Sequence, residues 1–121
     1  MRVYKNVSDV WTKICTCGPD GGDIDGEARD DFSGSSVSLS SDGTRLAIGT
    51  PANDGNGISS GNVRVYEYTS GTWVQMGSDI DGDAEGDYSG QSVSLSDDGF
   101  ILAIGANYND GNEPVSYGRV C

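Results

Sequence analysis

Residues 23–56 and 79–112 are two copies of one segment. Laid over each other without a gap, DIDGEARDDFSGSSVSLSSDGTRLAIGTPANDGN and DIDGDAEGDYSGQSVSLSDDGFILAIGANYNDGN agree at 23 of 34 positions, with a period of 56 residues. Self-similarity at such a period restricts the chain to stacked units, each a small piece of supersecondary structure that covers its neighbour. Parts of further copies flank these two. Arg2-Val3-Tyr4 falls on Arg64-Val65-Tyr66, and the same offset brings Trp11 onto Trp73. At the other end Gly118-Arg119-Val120 falls on Gly61-Asn62-Val63 after one extra residue. The resulting organisation is residues 1–22, the second half of a preceding unit plus an insertion from roughly Cys15 to Gly21; 23–78, a complete unit; and 79–121, a truncated unit.

Within the complete unit, Ser36-Val37-Ser38-Leu39-Ser40 alternates polar and apolar with period two, as a strand with one apolar face does. Ser41-Asp42-Gly43 is a tight hairpin signal, because Asp caps its own turn and Gly accepts positive φ. Leu46-Ala47-Ile48-Gly49 follows as a strand buried on both faces. Leu46 and Ile48 share one side, and only Ala47 and Gly49 occupy the other, which lets another layer approach closely. After the connection Asn53-Asp54-Gly55-Asn56-Gly57, the run Val63-Arg64-Val65-Tyr66-Glu67-Tyr68 makes a third strand. Thr69-Ser70-Gly71 turns into a fourth, Thr72-Trp73-Val74-Gln75-Met76. Four antiparallel strands per repeat compose a propeller blade, so the expected fold is all-β: consecutive four-stranded antiparallel blades of an incomplete β-propeller.

The motifs carry a family resemblance. Phe32-Ser33-Gly34 and Tyr88-Ser89-Gly90 stand where a Phe-Gly motif is found, and Gly49-Thr50-Pro51 and Gly105-Ala106-Asn107 where a Gly-Ala-Pro motif is found. In order and spacing the chain resembles the FG-GAP repeats of integrin α-chain propellers, and is similar to a divergent group of them in long secreted or surface proteins. The resemblance implies an extracellular or cell-surface location and a protein or glycan ligand. It also raises calcium, which integrin-like repeats hold in an Asp-rich loop between the first two strands. That loop is here only Ser41-Asp42-Gly43 or Asp97-Asp98-Gly99, too short to wrap an ion that takes six to eight oxygens, so the family's site is not carried over. A different acidic run, Asp79, Asp81, Asp83 and Asp87, matched by Asp23, Asp25, Glu27 and Asp31, is the speculative metal site. Turn chemistry and solvation account for it more cheaply than calcium, and no cofactor is expected.

Nineteen acidic and seven basic side chains leave a net charge of −12. Such a surface repels polyanions, and no Lys or Arg cluster exists to release phosphate counterions, so nucleic acid is not an expected partner. The acidity sits in the repeats: residues 1–22 sum to +1, 23–78 to −5 and 79–121 to −8. No apolar run is long enough to span a membrane, and no signal core follows Met1. Cys15, Cys17 and Cys121 stand at no zinc spacing and imply neither a disulfide framework nor redox chemistry; they read as small half-buried side chains. Trp11, Trp73, Tyr66 and Tyr68 read as covers for the edge of a blade core rather than as a sugar or peptide platform.

The chain contains no histidine, so neither a Ser-His-Asp triad nor a histidine metal site can be assembled. Carboxylate pairs suited to glycoside hydrolysis recur in every copy instead of marking one special place. A non-enzymatic binding or adhesion module is expected, with a spacer array as the alternative and a hydrolase fragment behind both. Too few units are present to cover both apolar faces of each, so the chain is expected to be part of a longer polypeptide. In isolation it should be marginal, or self-associate through its sheet faces and edges.

Overall fold

A computed structural model describes residues 1–14 and 23–109, and residues 119–120 as backbone. The insertion, all three cysteines and most of the Asn109–Val120 connection lie outside the described residues. What is described is all-β, with antiparallel sheets and no helix, and none of it is long and apolar enough to cross a membrane as a helix.

Strands β1 (Tyr4–Val7) and β2 (Val10–Lys13) form an N-terminal hairpin. A central sheet runs β3 (Ser36–Leu39), β4 (Arg45–Thr50), β5 (Asn62–Thr69) and β6 (Thr72–Gln75) in sequence order, with β7 (Ile80–Asp81) beside the free start of β5. A C-terminal sheet holds β8 (Ser92–Leu95), β9 (Leu102–Ala106) and β10 (Arg119–Val120). The strands read from sequence are present within a residue or two at each end. The main shift is at the N-terminus, where pairing starts at Tyr4 rather than Arg2.

The repeat is kept to the level of register. Ser36 faces Gly49 and Leu39 faces Leu46 in the central sheet, while Ser92 faces Gly105 and Leu95 faces Leu102 in the C-terminal one. Tyr68 pairs with Trp73 as Asn6 pairs with Trp11, and both hairpins turn on two residues of positive φ, Ser70-Gly71 and Ser8-Asp9. Positive φ at both central positions matches the right-handed twist of the flanking strands, which is what closes a two-residue hairpin. β10 joins β9 with Arg119 on Ala106 and Val120 on Gly105, in the register of Asn62 on Thr50 and Val63 on Gly49.

β4 is buried on both faces, as its alternation requires. Leu46 and Ile48 meet Val3, Ile24 and Trp73, a cluster that ties the central sheet to the N-terminal hairpin. Ala47, with Val63, meets Ile104 on the other side, flanked by Val93 and Leu95. Small and hydroxylated side chains let the central and C-terminal sheets touch directly. The Ser36 hydroxyl donates to the Gly90 carbonyl at 2.6 Å, and the Leu95 amide donates to the Ser38 hydroxyl at 3.0 Å. At the rim Arg45 donates to the Asp98 carbonyl at 2.6 Å and lies over the Phe100 ring at 4.0 Å. Serine in β3 thus serves the interface between sheets. Trp73 is buried, as an edge cover should be, whereas its counterpart Trp11 is exposed.

Candidate functional site

The strands place their short turns at one end and their long connections, residues 51–61 and 76–91, at the other. The acidic run lies on this second end. Its members do not act as one group. Asp79 accepts two bonds from Arg64 on β5, Nε at 2.7 Å and Nη2 at 2.6 Å, and a third from Gln75 on β6 at 2.7 Å. Arg64 also donates to Glu27, which in turn accepts from Asn53. The Arg64 guanidinium is therefore clamped between carboxylates of two successive connections. Its pKa is raised, first by the Asp79 hydrogen bonds, and Asp79 is lowered by the same bonds and by Gln75.

The first connection uses the same scheme. Asp23, the counterpart of Asp79, takes Arg2 at 3.2 Å and Lys13 at 2.5 Å, from the positions equivalent to Arg64 and Gln75. The last carboxylate of each run is buried: Asp31 accepts from Asn53 Nδ2 at 3.0 Å, and Asp87 accepts from Asn109 Nδ2 at 2.7 Å and from the Ala84 amide at 3.0 Å. Asp81, Asp83 and Asp87 line a pocket of about 140 Å³ with Ile80, Gly82, Ser89, Ile104, Ala106 and Asn109. Asp79 does not line it. Among the described residues no three carboxylate or thiol side chains converge as a cation would need.

The β3–β4 turn has its own use for Asp42. One carboxylate oxygen takes the Thr44 amide at 3.0 Å, the Thr44 hydroxyl at 2.8 Å and the Ser40 hydroxyl at 2.8 Å, and Asp98 repeats this with Ser96 and the Phe100 amide. These donors hold the charged form, and Asp42 falls from 3.8 to about 2, led by the Thr44 amide. Asp98 is lowered by Ser96 first. A carboxylate whose folded pKa is depressed stabilises the fold fully above its unfolded value and loses that contribution as pH falls through the folded one. The melting-temperature advantage of the parent chain over Asp42→Asn is therefore expected to be constant at neutral pH, to shrink below pH 3.8 and to be lost as pH falls through about 2. A thermal melt series in acetate and phosphate checks it, and an advantage that persists undiminished at pH 2 contradicts it.

The buried Asp–Asn pairs and the Arg64 clamp are what a reading by residue type missed. In sequence Asn53 reads only as part of a connection, and Arg64 only as a member of the third strand. The signal available was the constant spacing of 22 residues between Asp31 and Asn53 and between Asp87 and Asn109. Arg64→Ala is expected to lower stability by about 2 kcal/mol, since the side chain is 15% exposed and its loss strands Asp79. Arg2→Ala, at a site 63% exposed, should change stability far less than Arg64→Ala. A urea titration of each, with Asp79→Asn added to Arg64→Ala, tests whether neutralising the stranded carboxylate restores part of the loss.

A family model described as FG-GAP repeat matches residues 23–66 and 73–120. The chain belongs to the FG-GAP repeat family. The two matches fall on the two copies, and the second begins at Trp73, so this FG-GAP chain carries its family pattern across the junction between sheets. Comparison with curated proteins finds no match.

Proposed function

We propose that this FG-GAP chain is a set of consecutive four-stranded blades from a β-propeller, working as a non-enzymatic binding or adhesion module of a secreted or cell-surface protein. The observation that carries the reading is the tandem FG-GAP match coupled to sheets that stack through a repeating Ser, Ala and Gly face. Stacking of this kind generates radial arrays whose loops gather on one rim. The rim of long connections carries exposed Asp25, Asp30, Asp54, Asp81, Asp83 and Glu85. A protein surface rich in Lys and Arg is the partner such a rim attracts. The absence of histidine from the sequence, and the recurrence of Asp23, Asp25, Glu27, Asp31 and Asp42 as Asp79, Asp81, Asp83, Asp87 and Asp98, favour binding over catalysis.

A second reading, a spacer array, draws on the number of loop carboxylates that are occupied within the chain: Asp31, Asp42, Asp79, Asp87 and Asp98. The two separate on arrays of cell-surface proteins and glycans probed with the chain. Saturable binding that falls with salt, and falls further with Asp81→Lys and Asp83→Lys, supports the binding module. Absence of saturable binding on both arrays moves the assignment to the spacer. Calorimetry with millimolar calcium is expected to give no heat, and a calcium-dependent rise in melting temperature would restore the metal reading of Asp81, Asp83 and Asp87.

A further inference from the structure

The two long connections of the rim are joined along one seam. The amides of Gly82, Gly86, Tyr88 and Ser89 donate in turn to the carbonyls of Gly61, Ile58, Ser59 and Ser60, at 2.8, 2.9, 3.0 and 2.9 Å. A single side chain fastens its outer end. Asn56 Nδ2 donates to the Gly82 carbonyl at 2.9 Å and to the Asp83 carbonyl at 3.1 Å, while the Asn56 amide donates to the Ser60 hydroxyl at 3.1 Å. Asn56 is exposed, as are Asp54, Asp81, Asp83 and Glu85 on the same two connections.

Asn56 is followed by Gly57, the sequence's single Asn-Gly step; the same position in the second copy is Asn112-Glu113. An asparagine carboxamide is open to attack by the backbone nitrogen of the next residue, and the attack is least hindered where that residue has no side chain and turns freely. Gly57 has both properties, with φ at +124°. Its N–H reaches the Asp54 carbonyl only at 3.3 Å, a long contact that gives up little when it opens.

We propose that Asn56 is a deamidation site whose reaction is held back by the seam and, once complete, unfastens it. The Gly57 nitrogen bonds to Asn56 Cγ, the Cγ–Nδ2 bond breaks, and the displaced amide nitrogen takes up the Gly57 proton and leaves as ammonia. A cyclic imide remains. Water adds to one or other imide carbonyl, giving aspartate, or isoaspartate with the main chain routed through Cγ. In the closed seam Nδ2 is held by two carbonyls, which fixes the carboxamide, so attack requires the outer end to open first. The product carboxylate has no hydrogen to give. It faces two carbonyl oxygens among other carboxylates, so the outer end does not refasten. The isoaspartate also lengthens the main chain beside Gly57, where even one added Cβ would stand 3.2 to 3.3 Å from Glu85. The site governs how long the rim keeps its shape, whatever the rim binds.

Time courses of the whole chain in mildly alkaline buffer, folded and in urea, with peptide mass mapping, test the first half. Asn56 should convert in both, slower in the folded chain by about tenfold or more, as two ordinary hydrogen bonds would impose on opening. Asn56→Gln, which keeps a carboxamide but enlarges the ring to be closed, should not convert at that position over the same time. Amide exchange tests the second half. The Gly82 and Gly86 hydrogens should exchange about tenfold faster in Asn56→Asp than in the parent. The Tyr68 and Met76 amides, bonded to Thr44 and Val65 in the central sheet, should keep parental rates and show the variant to be folded. A folded chain that does not convert at Asn56, or converts as fast as in urea, overturns the proposal. Parental exchange at Gly82 and Gly86 in Asn56→Asp overturns it too, as does equal acceleration at Tyr68 and Met76, which would place the effect in the whole fold.

Discussion

Trp73→Ala lowers the unfolding free energy of the monomeric chain by about 4 kcal/mol, and Trp11→Ala leaves it within about 0.5 kcal/mol. The two residues occupy the same register position on the last strand of their hairpins, opposite Tyr68 and Asn6 respectively. What differs is the layer above them. Trp73 fills the space between β4 and the N-terminal hairpin, against Ile24, Leu46, Ile48 and Val3, with the Tyr68 ring tilted over it at 5.2 Å. Truncation removes a ring of large contact area and leaves a cavity that strands from two sheets would have to close. Trp11 is 67% exposed, with no such layer among the described residues, so its truncation removes little from either state. Urea unfolding of both variants, at concentrations where the parent is monomeric, measures the contrast. Equal losses at the two positions would mean that the tryptophan serves its own hairpin rather than the contact between sheets.

That contrast also marks how far the sequence could be read. Alternation in Ser36–Leu39 and the small residues Ala47 and Gly49 announce a sheet with neighbours on both sides, because side-chain size sets how closely a layer can approach. The hairpins at Ser8-Asp9 and Ser70-Gly71 are equally legible, since turn chemistry is local. The fate of a carboxylate is not. Asp79 looks available in a run of acids, and only folding reveals that its donor lies 15 residues earlier on β5. Asp31 and Asn53 become a pair because the connections before β3 and after β4 return to the same end of the sheet. Composition and spacing identify the charges, whereas their partners are set by which strand ends meet. The exposure of Trp11 was hidden for the same reason, as a repeat predicts equal roles for equal positions.

Gly49→Val is expected to destabilise the chain by about 3 kcal/mol, at the upper end of what overpacking costs. A Cβ at Gly49 would be driven into the carbonyl oxygen of Gly90 as well as the Ser36 hydroxyl. The carbonyl cannot rotate away, because it accepts the 2.6 Å bond from Ser36 that joins the two sheets, so added volume must part the layers and break that bond. The same substitution at Gly105 makes a useful control. Its Cβ would meet the Ser92 hydroxyl of its own sheet and no backbone of a following layer closer than ordinary contact. Rotation of one hydroxyl relieves that clash, and valine's preference for a pleated strand offsets part of the remainder. Gly105→Val should therefore cost about 1 kcal/mol or less. Urea unfolding of the two variants measures the difference at one pair of equivalent glycines, and equal losses would mean that the close approach of Gly90 to Gly49 does not set the cost.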